Sequence, residues 1–400
     1  MKSETSRIVA CDKYMDFKCQ MSACLDNCCW TGHWVIPIDD ATYEKYKLQF
    51  DKDNLGHYLR DSIDVGDGKP RFKADANDAC MLLTESGLCR IHKNYGIDHL
   101  CNVCATFPRS ANYYNGYIQA YLSLACPQVT RLFLPEKNGL HFNENKSLKI
   151  MRGQIQIPDA TAPHVWDESL CYAIREHGYA IIRHKGIPLP VKLFYLGAMI
   201  KSLEKDKENA QTVLVSYEAN IANRAVSDSI AGALQGFAPL EAPTYWRMID
   251  FLISFLSKKL FSNDKVEFYG RAKKNLAKKE MTDIERMIKV KKDVFDRFFQ
   301  EREYILENYV IYKMYINLFP YDEKGIVLSF NKLITELMLI MLLFICVYED
   351  KENVETDDLL QCIYIFNRRL VHNIDFLKFM EKFIMMHNDF EYTLLACLNY

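Results

Sequence analysis

"LITELMLIMLLFICVY", residues 333–348, decides the fold, because it is apolar on every side of the helix it would form. Its uninterrupted apolar run, Leu337 to Tyr348, covers twelve residues, whereas a bilayer needs roughly twenty. A segment hydrophobic all round and too short to span a membrane belongs at the centre of a helical bundle. The chain is therefore expected to be soluble, cytoplasmic and mainly α.

Outward from that helix the helical patterns continue in both directions. Asp357 opens a long amphipathic stretch, "DDLLQCIYIFNRRLVHNIDFLKFMEKF". Upstream, Thr282 and Glu285 read as a capping box ahead of Met287, Val290, Val294 and Phe298, which recur at helical spacing. Pro188 and Pro190 suit the first turn of a helix through "VKLFYLGAMIKSL". Residues 166–400 thus read as a larger α-helical domain. Residues 135–165 are polar and irregular and read as a connecting segment. Residues 1–134 read as a small cysteine-rich domain with short strands. In it "WVIPID" is a short strand, and "ANYYNGYIQAYLSL" is a hairpin turning at Asn115-Gly116.

Composition excludes several classes of function. Of 400 residues, 49% are hydrophobic and 26% charged, with a net charge of −2, so nothing global draws the chain to nucleic acid or an anionic membrane. "MKSETSRIVA" is polar and charged where a secretory signal would be apolar. In a reducing compartment, fourteen cysteines point to metal binding or catalysis rather than to a disulfide framework.

Ten of those cysteines lie at or before Cys126. The others, Cys171, Cys346, Cys362 and Cys397, sit in apolar surroundings and read as small buried hydrophobes. The leading group is C-x4-C-x3-C-C: Cys19, Cys24, Cys28 and Cys29. Cys80, Cys89, Cys101, Cys104 and Cys126 follow. Thiolates at such spacings converge on one centre, and distant ones close it. Soft thiolate ligands select zinc or iron–sulfur clusters. Only Cys101 and Cys104 have the knuckle spacing of structural zinc, and adjacent cysteines serve a cluster more easily than one tetrahedral ion. Both readings stay open, with a cluster slightly ahead.

The run "DFKCQMSACLDNCC", followed by "WVIPID", "GLCRIH", "LCNVCATFPR" and "LSLACP", resembles the flagellin lysine N-methylase (FliB-type) family. Its first part is similar to a CxxCxxCC zinc- or iron-chelating domain. "ILENYVIYKMYINLFPYD" and "RRLVHNIDFL" resemble that family's later segments, so the likeness spans most of the chain. The resemblance implies methylation of the ε-amino groups of lysines on a protein substrate, flagellin, with S-adenosylmethionine and a 4Fe–4S cluster. It places the family's cysteines on Cys19, Cys24, Cys28, Cys29, Cys80, Cys89, Cys104 and Cys126, and leaves Cys101 extra. "CCWTGHWVI" is two residues longer than the family's pattern after the paired cysteines. A rival reading is a non-enzymatic iron–sulfur or zinc protein serving iron handling, electron transfer or interaction.

No glycine-rich turn of a dinucleotide-type site is present, so a methyl donor would be held by other means. Methylating lysine requires removal of a proton from an amine whose free pKa is about 10.4. Glu307 and Tyr309 in "LENYV" are the candidate catalytic groups, with Asn308 orienting them, set against a purely structural reading. His33, His92 and His372 are left out of the ligand set. The segment 258–292 carries twelve basic and five acidic residues. It reads as solvated surface rather than as a docking face.

Overall fold

The computed structural model describes residues 7–24, 26–30, 35–66, 68–114, 116–150, 155–156, 166–235, 267–276 and 281–386, with backbone alone at 155–156, 273, 276 and 281–292. His33, Asn115, Cys397 and most of the basic segment 258–292 lie outside the described residues or their side chains.

The N-terminal part runs β1 (Ile8–Cys11), β2 (Ile36–Pro37), α1 (Asp40–Lys47), α2 (Asn54–Asp61), β3 (Ile63–Asp64), β4 (Arg71–Phe72), α3 (Arg90–Tyr95), α4 (Asn102–Thr106), β5 (Arg109–Tyr114), β6 (Tyr117–Leu122), α5 (Pro127–Phe133), β7 (Phe142–Glu144) and β8 (Ile155–Gln156). β5 and β6 form the expected hairpin, with Tyr114 paired to Tyr117 and Gly116 at φ 78°, a left-handed value that glycine adopts without strain. β1 lies parallel to β6, and the five strands order as β7-β1-β6-β5-β8. The segment 135–165 thus supplies both edge strands of this sheet. β2, β4 and β3 form a second, small antiparallel sheet.

The helical part comprises α6 (Glu168–Arg183), α7 (Leu189–Lys205), α8 (Ala210–Asn220), α9 (Arg224–Gln235), α10 (Glu267–Leu276), α11 (Met281–Ile316), α12 (Ile326–Val347), α13 (Thr356–Arg369) and α14 (Ile374–Met385). α7 begins as expected, with Pro188 at its N-cap and Pro190 in its first turn. α11 is already helical at Met281, and the side chains of Thr282 and Glu285 lie outside the described set. Glu355 and Asp358 make a capping box for α13 that the sequence reading missed.

α12 is the core helix and packs against α7, α10, α11, α13 and α14. It extends to 22 residues, so length alone does not exclude a membrane span. Burial decides the matter: 94% of its most apolar window lies inside the protein. Each large apolar side chain buried there contributes roughly 1.5–3 kcal/mol, which makes α12 the main organiser of the bundle. α7 approaches it closely at Gly197, where a Cβ would stand 2.6 Å from the Phe330 ring.

The buried residues form two clusters. The larger joins the five-stranded sheet to the helices, from Val9 to Ile384. The smaller holds Ile36, Tyr46, Leu59, Phe72, Leu82 and Ile91 together with Cys80 and Cys101. Topologically, this small unit is an insertion between β1 and β5, and most of the leading cysteines sit in it.

Candidate functional site

The small unit is stitched so that cysteines far apart in the chain face one another. The Cys80 N–H donates to the Cys29 carbonyl at 2.8 Å, and bridges pair Trp30 with Ala79 and Leu83 with Cys89. Asp39 caps α1 through Thr42 and also accepts from the Asn102 N–H at 2.9 Å, which fixes the start of α4. As a result Cys28, Cys29, Cys80, Cys89, Cys101 and Cys104 lie close enough to feel one another's charge. Cys101, set aside as extra in the sequence, belongs to this group.

Cys24 and Cys126 are neighbours beside it, and Cys24 also senses Cys28. Cys19 is exposed, its sulfur accepting from the Met21 N–H at 3.4 Å. All thirteen described cysteines are free thiols. Among the described residues, no three His, Cys, Asp or Glu side chains stand at metal-holding separations. The thiols are gathered, but not as a finished coordination shell.

Three of the cysteines share a local device. Cys89, Cys101 and Cys126 sit at the N-caps of α3, α4 and α5. None makes a full side-chain cap, yet first-turn N–H groups lie near each thiol and favour its ionised form. Burial opposes ionisation, pushing Cys80 up to about 12 and Cys126 up to about 11. In the adjacent pair, the hydrogen bond from Cys29 lowers the exposed Cys28 to about 7, while Cys29 itself is raised. Several thiolates in so small a volume repel one another unless a cation lies among them. By type these donors suit a soft metal, but their described separations do not form a coordination shell.

The loop carrying Cys24, Cys28 and Cys29 is held from the far end of the chain. Arg368, at the end of α13, donates to the carbonyls of Asp26 at 2.8 Å and Asn27 at 2.6 Å. Its Nη1 also stands 3.1 Å from Asp26 Oδ1, with both side chains buried. The Tyr269 hydroxyl donates to Asp26 Oδ2 at 3.2 Å, and Arg369 donates to that hydroxyl. In "RRLVHNIDFL" the sequence directed attention to His372 and not to the two arginines. Their signal was position: paired cations in the last turn of an amphipathic helix.

α13 also links the thiols to a cavity of about 620 Å³ walled by α11, α12 and α14 and the α11–α12 turn. Three lysines (Lys313, Lys332, Lys378) and three acids (Asp322, Glu336, Glu381) line it, with apolar residues including Met314, Phe319 and Leu333. Lys313 pairs with Glu336 at 2.8 Å, and both are buried. Lys332 bridges Asp322 at 2.7 Å and Glu381 at 3.0 Å. Against the effect of burial, those two acids raise its pKa.

Glu307, Asn308 and Tyr309 fall on different sides of α11. The Tyr309 hydroxyl donates to Glu336 Oε2 at 3.2 Å, behind the cavity wall. Burial first, and the Glu336 charge second, push its pKa well up, so it acts there as a donor. Glu307 pairs instead with the buried Lys192 at 2.5 Å and is not among the cavity residues. Asn308 donates to the carbonyls of Leu134 and Glu136, pinning α11 to the turn after α5. His372, expected in the interior, reaches the surface. Crowding around its ring, then the Lys313 charge, lowers its pKa. In the described part of the basic segment, Arg271 and Lys274 pair with Asp350, while Phe268, Tyr269 and Ala272 are buried.

Comparison with known proteins bears on the whole chain. The family model described as "FliB lysine N-methylase C-terminal domain" matches residues 175–398. The lysine-N-methylases of Salmonella typhimurium and Salmonella choleraesuis are each 24% identical over 397 residues, covering 92% of this chain and 92% of theirs. The flagellar biosynthetic protein FliU of Salmonella muenchen is 33% identical over 138 residues, 33% of this chain and 79% of that protein. No solved structure matches.

Proposed function

The chain belongs to the FliB lysine N-methylase family, and from that premise we propose that it transfers methyl groups from S-adenosylmethionine to lysine ε-amino groups on flagellin. The observation that carries the reading is the end-to-end match to lysine-N-methylases, 92% of both chains.

Bound S-adenosylmethionine supplies a methyl group on a sulfonium sulfur. A lysine ammonium would give one proton to a base or to water, the neutral amine's lone pair would form the new N–C bond, and the C–S pair would stay on the departing sulfur. The ammonium must first lose that proton, which desolvation in an apolar-walled site favours. Tyr309 acts through Glu336, holding that carboxylate by a hydrogen bond, and Glu307 acts on Lys192. Tyr309 is thus a positioning residue here, whereas Glu307 ties α11 to α7.

A metal centre would draw its ligands from Cys28, Cys29, Cys80, Cys89, Cys101 and Cys104, which lie within reach of one another's charge, with Cys24 and Cys126 alongside. Cys19 completes the set carried over from the family. A 4Fe–4S cluster, with zinc as the alternative, would supply a cationic anchor there and tie the insertion to the bundle. Adjacent Cys28 and Cys29 favour the cluster, since two neighbours reach different atoms of it more easily than one ion.

The test is to incubate the chain, purified without oxygen, with flagellin and a donor carrying a deuterated methyl group, then map the lysines by mass spectrometry. Labelled methyl-lysines are expected. Unmodified flagellin, with the enzyme folded and metal-loaded, would contradict the reading.

A further inference from the structure

The cavity between α11, α12 and α14 has a chemistry that selects a particular kind of ligand. Its lysines and acids are equal in number, and the described ion pairs stand on a mixed wall that also carries Asn112, Asn317 and Ser329 among apolar side chains. A channel built only for a cationic side chain would carry an excess of acids, and a phosphate site an excess of bases. Balanced pairs beside neutral polar groups suit a ligand whose ammonium and carboxylate each meet an opposite charge and whose body offers hydroxyls and a ring. At about 620 Å³ the cavity falls within the roughly 300–1,000 Å³ that holds a drug-sized molecule. Tyr121, Phe319 and Tyr321 add ring surface for a planar base.

We propose that this cavity is the methyl-donor site, with the amino-carboxylate end of S-adenosylmethionine against the Lys313–Glu336 pair and the nucleoside toward the ring-bearing wall. The assignment rests on the methyl-transfer reading and adds a location that the cysteines do not supply. It also explains why a chain without a glycine-rich turn can bind a nucleoside: ion pairs on rigid helices replace the backbone cradle. The two sites come near each other at the C-terminal end of α13, where Arg368 holds the thiol loop and Val371, just beyond the helix, lines the cavity.

The test measures binding of S-adenosylhomocysteine, the donor stripped of its methyl group, to the full metal-loaded chain by calorimetry. Ile374 lines the cavity and is 67% exposed, so Ile374→Trp narrows the mouth without disturbing the core. Lys313→Met with Glu336→Leu removes the floor pair together, which avoids leaving one charge buried alone. Each variant should weaken binding about tenfold or more, with helical content and metal content unchanged. Affinity within twofold of the parent in folded Ile374→Trp would overturn the assignment, even if the floor variant failed to fold. Should Cys28→Ser abolish binding while Ile374→Trp retains it, the donor sits at the metal centre instead. A parent chain that neither binds the probe nor methylates flagellin would overturn the functional reading itself, and this site with it.

Discussion

Replacing Arg368 with methionine removes the cation that holds the Cys24–Cys29 loop, and its surroundings set the size of the effect. Arg368 Nη1 lies 3.1 Å from Asp26 Oδ1, with side-chain exposures of 2% and 1%. Removing one partner of a buried pair typically costs about 3–5 kcal/mol, because the remaining charge is stranded. Two carbonyls, of Asp26 and Asn27, also lose a charged donor. The Tyr269 hydroxyl still reaches Asp26, so the lower end, about 3 kcal/mol, is expected. Against a typical total of roughly 5–15 kcal/mol, the bundle stays folded. The loss should then appear as local opening, with Cys28 and Cys29 labelled by a thiol reagent about a hundredfold faster in metal-free protein. The assay pairs that labelling rate with urea unfolding followed by circular dichroism. Asp26→Leu combined with Arg368→Met should recover most of the lost stability. A loss under about 1 kcal/mol in the single variant, or a double variant no better than the single one, would refute the anchoring role.

Other perturbations probe different parts of the structure. Gly197→Ala places a Cβ 2.6 Å from Phe330, so thermal unfolding should show a loss of about 1–3 kcal/mol from overpacking. Asn308→Leu takes the side-chain donor from the Leu134 carbonyl and one of two donors from that of Glu136, which keeps the Gly139 N–H, and urea titration should report a loss of about 1–3 kcal/mol. Arg131 lowers the Asp357 pKa through its hydrogen bond. Their contribution is therefore present above the ordinary carboxylate pKa and fades as pH falls through the lower folded value. Stability curves of the parent and Arg131→Met should differ at neutral pH and converge in acid below about pH 4. Glu307→Gln should weaken folding through Lys192 while methyl transfer per folded molecule persists. Loss of turnover at unchanged stability would place Glu307 in the chemistry instead.

The parts of the fold set by local pattern could be read in advance. The all-apolar helix, the Asn-Gly hairpin and the Pro188–Pro190 start each depend on a few adjacent residues, and α12, the β5–β6 hairpin and α7 follow from them. What escaped depends on distant pairing. β1 joins β6 across more than a hundred residues of chain, and no periodicity encodes such a partner. Cys101 looked surplus because the family's cysteine pattern has no place for it, and a pattern of residues does not show that the start of α4 buries this thiol completely. The buried Lys313–Glu336 and Arg368–Asp26 pairs were missed for a similar reason. A lone charge in an apolar run reveals neither its burial nor its partner.

The most direct measurement is the absorption spectrum and metal content of the chain purified without oxygen, taken beside a Cys28→Ser, Cys29→Ser, Cys104→Ser variant. A metal centre held by the gathered thiols predicts stoichiometric metal in the parent, with broad charge-transfer absorption if it is a 4Fe–4S cluster and none if it is zinc, and loss of metal in the variant. Metal-free, folded parent protein that still methylates flagellin, or equal metal in parent and variant, would contradict it.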